Sequence, residues 1–140
     1  MTTGESSAPL RVAVVDDEED VLTFLRLVFE DRGFEVLTTD RPGAAVAALR
    51  SFRPDLVCLD LLMPEHTGVS LYVAMRRTPE LRTVPVLILT GLETGEALVA
   101  LQERADGIPP PDGTVEKPLD VAALLRAVEA VLPAAIGARS

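Results

Sequence analysis

The sequence predicts an α/β fold with five parallel strands in one sheet and helices on both of its faces. Short apolar segments rich in β-branched residues recur along the 140 residues, and a segment with helical periodicity follows each one. Five such alternations supply the crossover connections that parallel strands need, and they place helices on both faces of the sheet. Apolar residues make up 48% of the chain and charged residues 25%, so one ordinary globular domain is expected.

The first predicted strand, Leu10–Val15, is an apolar run that ends at acids, as expected for a strand buried on both faces. It follows residues 1–9, whose small polar side chains predict a flexible tail. Apolar residues then recur at helical spacing, and Gly33 is a C-terminal signal for this first helix. Phe34–Thr38 has the composition of a second strand.

The second helix is expected to be capped by Asp40, with Pro42 in its first turn. Asp55–Leu59 is the third apolar run, and Asp60 follows it directly. A loop that contains proline and glycine then leads to a third helix around Tyr72. The middle of the chain thus repeats the helix–strand–helix order of a parallel sheet.

The fourth predicted strand, Val84–Leu89, is strongly apolar and ends at Thr90. A fourth helix is expected from Gly95 to Arg104. Three consecutive prolines exclude regular structure from residues 106–113, because proline has no backbone donor.

The fifth predicted strand, Thr114–Glu116, is short, and Asp120 is expected to cap the last helix. Residues 133–140 predict a second flexible tail. The sequence therefore predicts one domain over residues 10–132.

Composition excludes several classes of protein. A formal net charge of -9 offers no basic surface for DNA or RNA, so direct nucleic-acid binding is not expected. The single cysteine, Cys58, cannot form an intramolecular disulfide and is expected in the core. No apolar run is long enough for a signal peptide or a membrane span, so we expect a cytoplasmic protein without membrane association.

Polar residues with complementary chemistry follow the predicted strands: Asp16, Asp17, Glu18, Asp60, Thr90 and Lys117. In a parallel sheet these positions share one edge, where ligands bind. Clustered acids raise one another's pKa values unless a cation neutralises them, and carboxylates suit Mg²⁺. A hydroxyl and an ammonium group can bind phosphoryl oxygens. The pattern favours phosphoryl transfer to a carboxylate, although spacing alone leaves open which acid reacts.

Four motifs carry a specific resemblance and occur in one order along the chain. They are VAVVDDEEDV at Val12–Val21, DLVCLDLLMPEHTG at Asp55–Gly68, VPVLILTG at Val84–Gly91 and EKPL at Glu116–Leu119. The sequence is similar to the receiver domains of bacterial two-component systems, the CheY-like family. The resemblance implies a single-domain, flavodoxin-like, doubly wound (βα)5 fold with strand order 2-1-3-4-5, for which CheY is a standard example.

The resemblance also implies roles for the acids. Asp60 would be the phosphoacceptor. Asp17 would bind Mg²⁺ directly and Asp16 through water, with Asp60 and the backbone carbonyl of Leu62 completing the metal ligands.

Two further residues acquire roles from the same resemblance. Thr90 would turn inward to bond a phosphoryl oxygen, and Lys117 would pair with the phosphate. Pro118 matches a family proline that often follows a cis bond.

Partners follow from the resemblance as well. A sensor histidine kinase or a phosphotransfer protein would supply the phosphoryl group, and a downstream protein effector would read the altered surface. The fourth helix, fifth strand and fifth helix would form the output face, through which a homodimer is also conceivable. The domain would catalyse only its own phosphorylation and dephosphorylation and would not be an enzyme in the usual sense.

The chain departs from the family pattern in two places. Thr114 stands where receivers usually carry a switch aromatic, after a longer, proline-rich segment. Leu62 and Leu92 occupy the two positions that flank the attacking water in the family, and neither side chain can orient water. We therefore expect slow hydrolysis of the phosphoryl group.

Two other functions are compatible with parts of the pattern. A receiver-shaped scaffold could signal without phosphate, which the altered segment before Lys117 favours. A Mg²⁺-dependent phosphatase that forms an aspartyl phosphate is a weaker alternative, since haloacid dehalogenase-type enzymes need two aspartates separated by one residue. His66, the sole histidine, is expected to be a solvated loop residue.

Overall fold

A computed structural model of the chain describes residues 9–64, 67–91, 94–104 and 107–132. The expected tails fall almost entirely outside these ranges, as do His66 and Leu92. The strands of the described residues are Arg11–Val15 (β1), Glu35–Thr39 (β2), Leu56–Asp60 (β3), Val86–Thr90 (β4) and Gly113–Glu116 (β5). The helices are Glu19–Asp31 (α1), Pro42–Phe52 (α2), Thr67–Arg77 (α3), Thr94–Arg104 (α4) and Val121–Val131 (α5).

The five strands form one parallel sheet in the order β2-β1-β3-β4-β5. This confirms the predicted α/β class and the flavodoxin-like strand order. The strand that follows β1 in the chain, β2, lies on one side of it, and β3, β4 and β5 are added on the other side. β1 is therefore paired on both sides: Val14 lies opposite Thr38 of β2 and Cys58 of β3. Such a reversal of strand order opens a crevice at the carboxyl ends of the strands.

The core consists of two apolar layers, one on each face of the sheet. On one face, Val57 and Ile88 pack with residues of α2, α3 and α4. On the other, Cys58 and Leu87 pack with residues of α1 and α5. Neighbouring strand residues thus point to opposite layers, and this explains why the central strands β1, β3 and β4 are apolar along most of their length.

Strands β3 and β4 extend further toward their carboxyl ends than predicted. Both Asp60 and Thr90 are the last residues of their strands, and in the sheet they lie opposite Leu89 and Glu116 respectively. The reason for the late start of β4 is Pro85, which cannot donate to the ladder. The two polar residues are therefore held by the sheet and do not belong to mobile loops.

One predicted helix cap is wrong and another is confirmed. Arg41 is the N-cap residue of α2 and makes no side-chain cap, while Asp40 lies one residue outside and Pro42 is the first helical residue. Proline lacks an N–H, so one orphan donor of this helix needs no cap. Asp120 does cap α5, because its carboxylate accepts a hydrogen bond from the backbone N–H of Ala123 at 2.9 Å.

Residues 107–112 have no regular structure, as predicted, but the prediction for residue 113 is wrong, because Gly113 is the first residue of β5. Two side chains of α3 bind this proline-rich segment. The Tyr72 hydroxyl donates to the carbonyl of Pro109 at 2.7 Å. The buried guanidinium of Arg76 forms an ion pair of 3.0 Å with Asp112, which precedes β5 directly. Among the described residues, none of the helices has the length and apolar character needed to cross a membrane.

Candidate functional site

A polar crevice lies at the carboxyl-terminal edge of the sheet. Its volume is about 760 Å³, and its lining includes Asp17, Glu18, Asp60, Leu62, Gly91 and Lys117. These residues come from the ends of β1, β3, β4 and β5, or from the turns that follow them. The crevice is thus built by the parallel sheet itself, as the sequence predicted.

Three aspartates gather at one side of this crevice. One carboxylate oxygen from each of Asp16, Asp17 and Asp60 lies within 4.8 Å of the others. Asp16 and Asp60 are buried, with 0% and 4% of their surface exposed, whereas Asp17 is exposed. Carboxylate oxygens on both the buried and the open side of one small space suit a hard divalent cation that keeps some of its waters.

The geometry of Asp16 provides a test of whether a cation fits. Its Oδ1 accepts a hydrogen bond from the backbone N–H of Glu18 at 2.8 Å. Its Oδ2 is buried and has no hydrogen-bond partner. The ammonium of Lys117 is 3.0 Å away, an ion-pair distance, but does not meet hydrogen-bond geometry. A buried oxygen left without a donor is costly, and a bound cation would satisfy it.

Burial raises the pKa of Asp16 from 3.8 to about 6. The N–H of Glu18 and the charge of Lys117 oppose this rise, and the neighbouring charge of Asp60 adds to it. The sequence predicted a raised pKa through repulsion between acids, but loss of water around the carboxylate is the larger cause.

Lys117 lies among three carboxylates, and the nearest is not the expected acceptor. Its Nζ is 2.7 Å from Glu18, 3.0 Å from Asp16 and 3.6 Å from Asp60. Burial lowers the pKa of the ammonium, but the nearby carboxylates of Glu18 and Asp16 outweigh it, so the pKa is raised overall. The Lys117–Pro118 peptide bond is cis, and the Lys117 N–H donates to the carbonyl of Thr90 at 2.7 Å.

The Asp60 carboxylate is oriented by its own loop. Its Oδ1 accepts a hydrogen bond from the backbone N–H of Leu62 at 2.8 Å, and its Oδ2 is the oxygen that faces Lys117. The Leu62 side chain is 36% exposed at the wall of the crevice. One oxygen of Asp60 is therefore fixed by the backbone, and the other faces the ammonium.

Thr90 is at the predicted edge, where its hydroxyl binds the neighbouring strand β5. It donates to the carbonyl of Val115 in β5 over a long distance of 3.3 Å. A bond of this length is weak, so a stronger acceptor at the crevice could replace it.

Gly68, at the start of α3, explains one part of the motif around Asp60. A Cβ atom at this position would overlap the carbonyl oxygen of Asp60 and the Cα of Leu61. Only glycine lets α3 begin directly against the backbone at the end of β3.

Sequence reasoning missed two contributions to this region. Glu18 was recognised only as one of several acids, because its pairing with Lys117 joins residues 99 positions apart. The pairing of Arg76 with Asp112 was also missed, since arginine near the end of a helix ordinarily suggests only an exposed residue.

Residues 12–129 match the sequence profile of the family described as "Response regulator receiver domain". The chain belongs to this family. Its proteins are signalling modules of two-component systems, and the resemblance predicted from the sequence is confirmed.

Curated relatives resemble the chain at moderate identity. The transcriptional regulatory protein PrrA of Mycobacterium tuberculosis is 36% identical over 132 residues, which cover 94% of this chain and 53% of PrrA. The phosphate regulon transcriptional regulatory protein PhoB of Rhizobium meliloti is 35% identical over 122 residues, or 87% and 52% of the two chains. The chain thus spans about half the length of these relatives. Protein Rrf1 of Nitratidesulfovibrio vulgaris is 32% identical, and the match covers 89% of this chain and 83% of Rrf1.

Solved structures of receivers share the fold. The chemotaxis response regulator CheY4 of Vibrio cholerae superposes with a TM-score of 0.73 at 26% identity, covering 89% of this chain and 99% of CheY4. The signal receiver domain of a signal transduction histidine kinase from Syntrophus aciditrophicus gives a TM-score of 0.73 at 28% identity, covering 88% and 89%. Receivers in different protein contexts therefore have this architecture.

Proposed function

We propose that residues 10–132 are a phosphoacceptor receiver domain in which Asp60 takes a phosphoryl group in a Mg²⁺-dependent reaction. The observation that carries the proposal is the position of Asp60, the buried carboxylate that faces both the cluster of acids and Lys117. The crevice is open to solvent on the side of Asp17 and Leu62, which leaves room for a phosphodonor.

In the proposed reaction, an oxygen of Asp60 bonds to phosphorus while the bond from phosphorus to the donor's leaving group breaks. The N–H of Leu62 orients the carboxylate, and the fixed charge of Lys117 opposes the negative charge of the phosphoryl oxygens. Asp16, Asp17, Asp60 and the Leu62 carbonyl would hold Mg²⁺, which supplies charge neutralisation and in-line positioning when bound.

In the proposal, Thr90 acts only when a phosphoryl group is present on Asp60. Its hydroxyl is assigned to a phosphoryl oxygen, and it would exchange its long bond to the Val115 carbonyl for that acceptor. The exchange costs little because a hydrogen bond of 3.3 Å is weak and a bond to a charged oxygen is strong.

The proposed partners follow from membership of the family. A histidine kinase or a phosphotransfer protein donates the phosphoryl group, and a protein effector binds the face formed by α4, β5 and α5, where a homodimer could also form. Val99 of α4 supports the choice of this face as a binding surface, since this apolar residue is 53% exposed. A net charge of -9 favours protein partners over direct contact with nucleic acid.

Intact mass spectrometry after incubation with acetyl phosphate and Mg²⁺ tests the proposal. We expect one phosphoryl adduct that disappears in Asp60→Asn and in the presence of a chelator. Asp31→Asn, which removes an exposed acid at the end of α1, is the matched control and should leave the adduct unchanged. An adduct that persists in Asp60→Asn would contradict the assignment of the acceptor.

A phosphorylation-independent scaffold is the second candidate, and one observation favours it. Thr114 is exposed on β5, at the position where an aromatic switch residue is usual in the family. Binding of an effector to wild type and to Asp60→Asn, with and without acetyl phosphate, separates the two candidates. Equal binding in all four conditions would support the scaffold, and binding that changes only in phosphorylated wild type would exclude it.

A further inference from the structure

Lys117, the only lysine of the chain, is shared unequally by three carboxylates. Its shortest contact, 2.7 Å, is to Glu18, while Asp60 is 3.6 Å away. The Glu18 side chain is 59% exposed, whereas that of Asp60 is only 5% exposed. An acid on the solvent side of the crevice therefore draws the ammonium outward from the acceptor.

The Glu18 carboxylate has no role in the local fold that would explain its position. Glu18 is the N-cap residue of α1, but its side chain makes no cap hydrogen bond, and the first turn of the helix uses its backbone carbonyl. Its backbone N–H is held by Asp16, and this bond fixes the direction in which the side chain leaves the chain. Among its described contacts, Lys117 is what the carboxylate binds.

A phosphoryl group on Asp60 competes with Glu18 for the same ammonium. The group adds negative charge to the site. Among the described residues, Lys117 supplies the ammonium that can neutralise this charge. To bind phosphoryl oxygens closely, Lys117 must weaken its contact with Glu18. The negative charge of Glu18 also repels that of the phosphoryl group across the crevice.

We propose that Glu18 is a positioning residue that restrains Lys117 away from Asp60 and so weakens retention of a phosphoryl group there. This inference rests on the proposed phosphoacceptor function. Exposed ion pairs are weak, so the effect is modest: removing the charge of Glu18 should strengthen binding of a phosphoryl mimic about two- to fivefold. Glu18 thereby lowers the affinity of the site for a phosphoryl group without contacting Asp60.

The test uses beryllofluoride, a phosphoryl mimic, with Mg²⁺ and the full chain labelled with ¹³C at the lysine ε carbon. One lysine gives one side-chain signal, so the environment of Lys117 is read directly by NMR. We expect Glu18→Gln to shift this signal before any ligand is added and to bind beryllofluoride about two- to fivefold more tightly than wild type. Glu18→Ala should behave in the same way, because neither variant removes a cap hydrogen bond.

The matched control is Glu19→Gln, which removes an equal charge from the next residue, in the first turn of α1. It should match wild type in both measurements. Glu18 variants that bind no more tightly than Glu19→Gln would overturn the inference and leave the proposed function intact. A wild-type chain that binds no beryllofluoride with Mg²⁺ would instead overturn the proposed function and this inference with it.

Discussion

Asp60 is oriented by a backbone N–H on one side and faces an ammonium on the other. Each neighbour comes from a different part of the chain: Leu62 from the loop after β3, and Lys117 from the turn after β5. At the scale of single residues, the site therefore depends on side chains that lie just outside the acid cluster. If Asp60 is phosphorylated as proposed, we expect the side chains around it to govern the lifetime of the phosphoryl group.

The lifetime of the phosphoryl group should depend on Leu62. Its aliphatic side chain is 36% exposed at the crevice wall and offers no atom that could orient an attacking water. We expect a lifetime of minutes or longer in wild type and a several-fold shorter one in Leu62→Asn. Mass spectrometry at intervals after removal of the phosphodonor measures both.

A wild-type half-life of seconds would contradict this expectation. Leu27→Asn is a useful control, because Leu27 is an apolar residue of α1 that is 62% exposed and does not line the crevice. It should leave the lifetime unchanged.

Cys58 should be chemically inert in the folded protein. It lies in β3, is fully buried and has its pKa raised to about 12 by burial. Reaction with a thiol reagent needs both access and a thiolate, and neither is present near neutral pH. We expect negligible modification of the native chain and rapid modification in denaturant, followed by absorbance of a chromogenic disulfide reagent. Fast labelling of the native chain would show that this strand opens readily.

The start of α3 should be intolerant of any side chain at Gly68. A methyl group there overlaps the backbone at the end of β3, so the helix or the strand must move. We expect Gly68→Ala to lower the free energy of unfolding by about 2 kcal/mol, within the range for overpacked sites. Chemical denaturation followed by circular dichroism measures the loss. Gly43→Ala is the control, since a Cβ atom there meets nothing within 4 Å.

At the scale of elements, α3 binds the segments that lead into β4 and β5. Arg76 is buried near the end of α3, and its guanidinium donates to the carbonyls of Arg82 and Val84 as well as to Asp112. Asp112 also accepts from the N–H of Val86 at 2.8 Å. One ion pair thus connects α3, the beginning of β4 and the beginning of β5, and Lys117 lies at the other end of β5.

Breaking this ion pair should destabilise the domain measurably. Asp112→Ala leaves a buried guanidinium and a backbone N–H without their shared acceptor, and such losses cost about 3–5 kcal/mol for fully buried pairs. Because the Asp112 side chain is 42% exposed, we expect about 2 kcal/mol in urea denaturation. Asp31→Ala should change stability little. Similar losses in the two variants would mean that the ion pair contributes nothing.

The elements also show why parts of the structure were predictable. Every strand and helix of the described residues was predicted from the sequence. Apolar runs and helical periodicity indicated most of them, because both layers of the core need apolar positions at fixed spacing. The second helix was predicted from Asp40 and Pro42. Strand ends were less accurate: β4 was placed two residues early, since Val84 and Pro85 are apolar but Val84 lies in the turn before the strand. The predicted cap at Asp40 was wrong for a similar local reason, because Pro42 begins α2 without a side-chain cap.

At the scale of the whole molecule, the candidate site joins residues at the carboxyl ends of four strands that are far apart in sequence. Topology brought Asp16, Asp60 and Lys117 together as expected, because parallel strands present their carboxyl ends at one edge. Sequence could not give the distances inside that edge. The preference of Lys117 for Glu18, and the Thr90 hydroxyl bonded to Val115, depend on side-chain geometry that spacing does not encode.

Stabilisation by Mg²⁺ should depend on pH. The folded-state pKa of Asp16 is raised from 3.8 to about 6, so its proton stabilises the metal-free fold below pH 3.8 and this contribution is lost as pH rises through about 6. Mg²⁺ needs the ionised carboxylate and competes with that proton. We therefore expect Mg²⁺ to raise the Tm clearly at about pH 7.5 and little at about pH 5.

Thermal unfolding followed by circular dichroism checks this, with potassium chloride at matched ionic strength as the control for screening. Asp17→Asn should reduce the increase at the higher pH. An equal increase at both pH values would mean that Asp16 does not take part in binding the ion.

The hydrogen bond from Tyr72 to the carbonyl of Pro109 gives the protein an intrinsic fluorescent reporter. The chain contains one tyrosine and no tryptophan, so emission excited at a wavelength that the phenylalanines do not absorb originates at this buried phenol. Emission from a tyrosine depends on whether its hydroxyl donates to a carbonyl, and here that carbonyl belongs to the segment leading into β5. Any rearrangement that travels along β5 from Lys117 to this segment would change the brightness of the unlabelled protein, in real time and without a reporter dye.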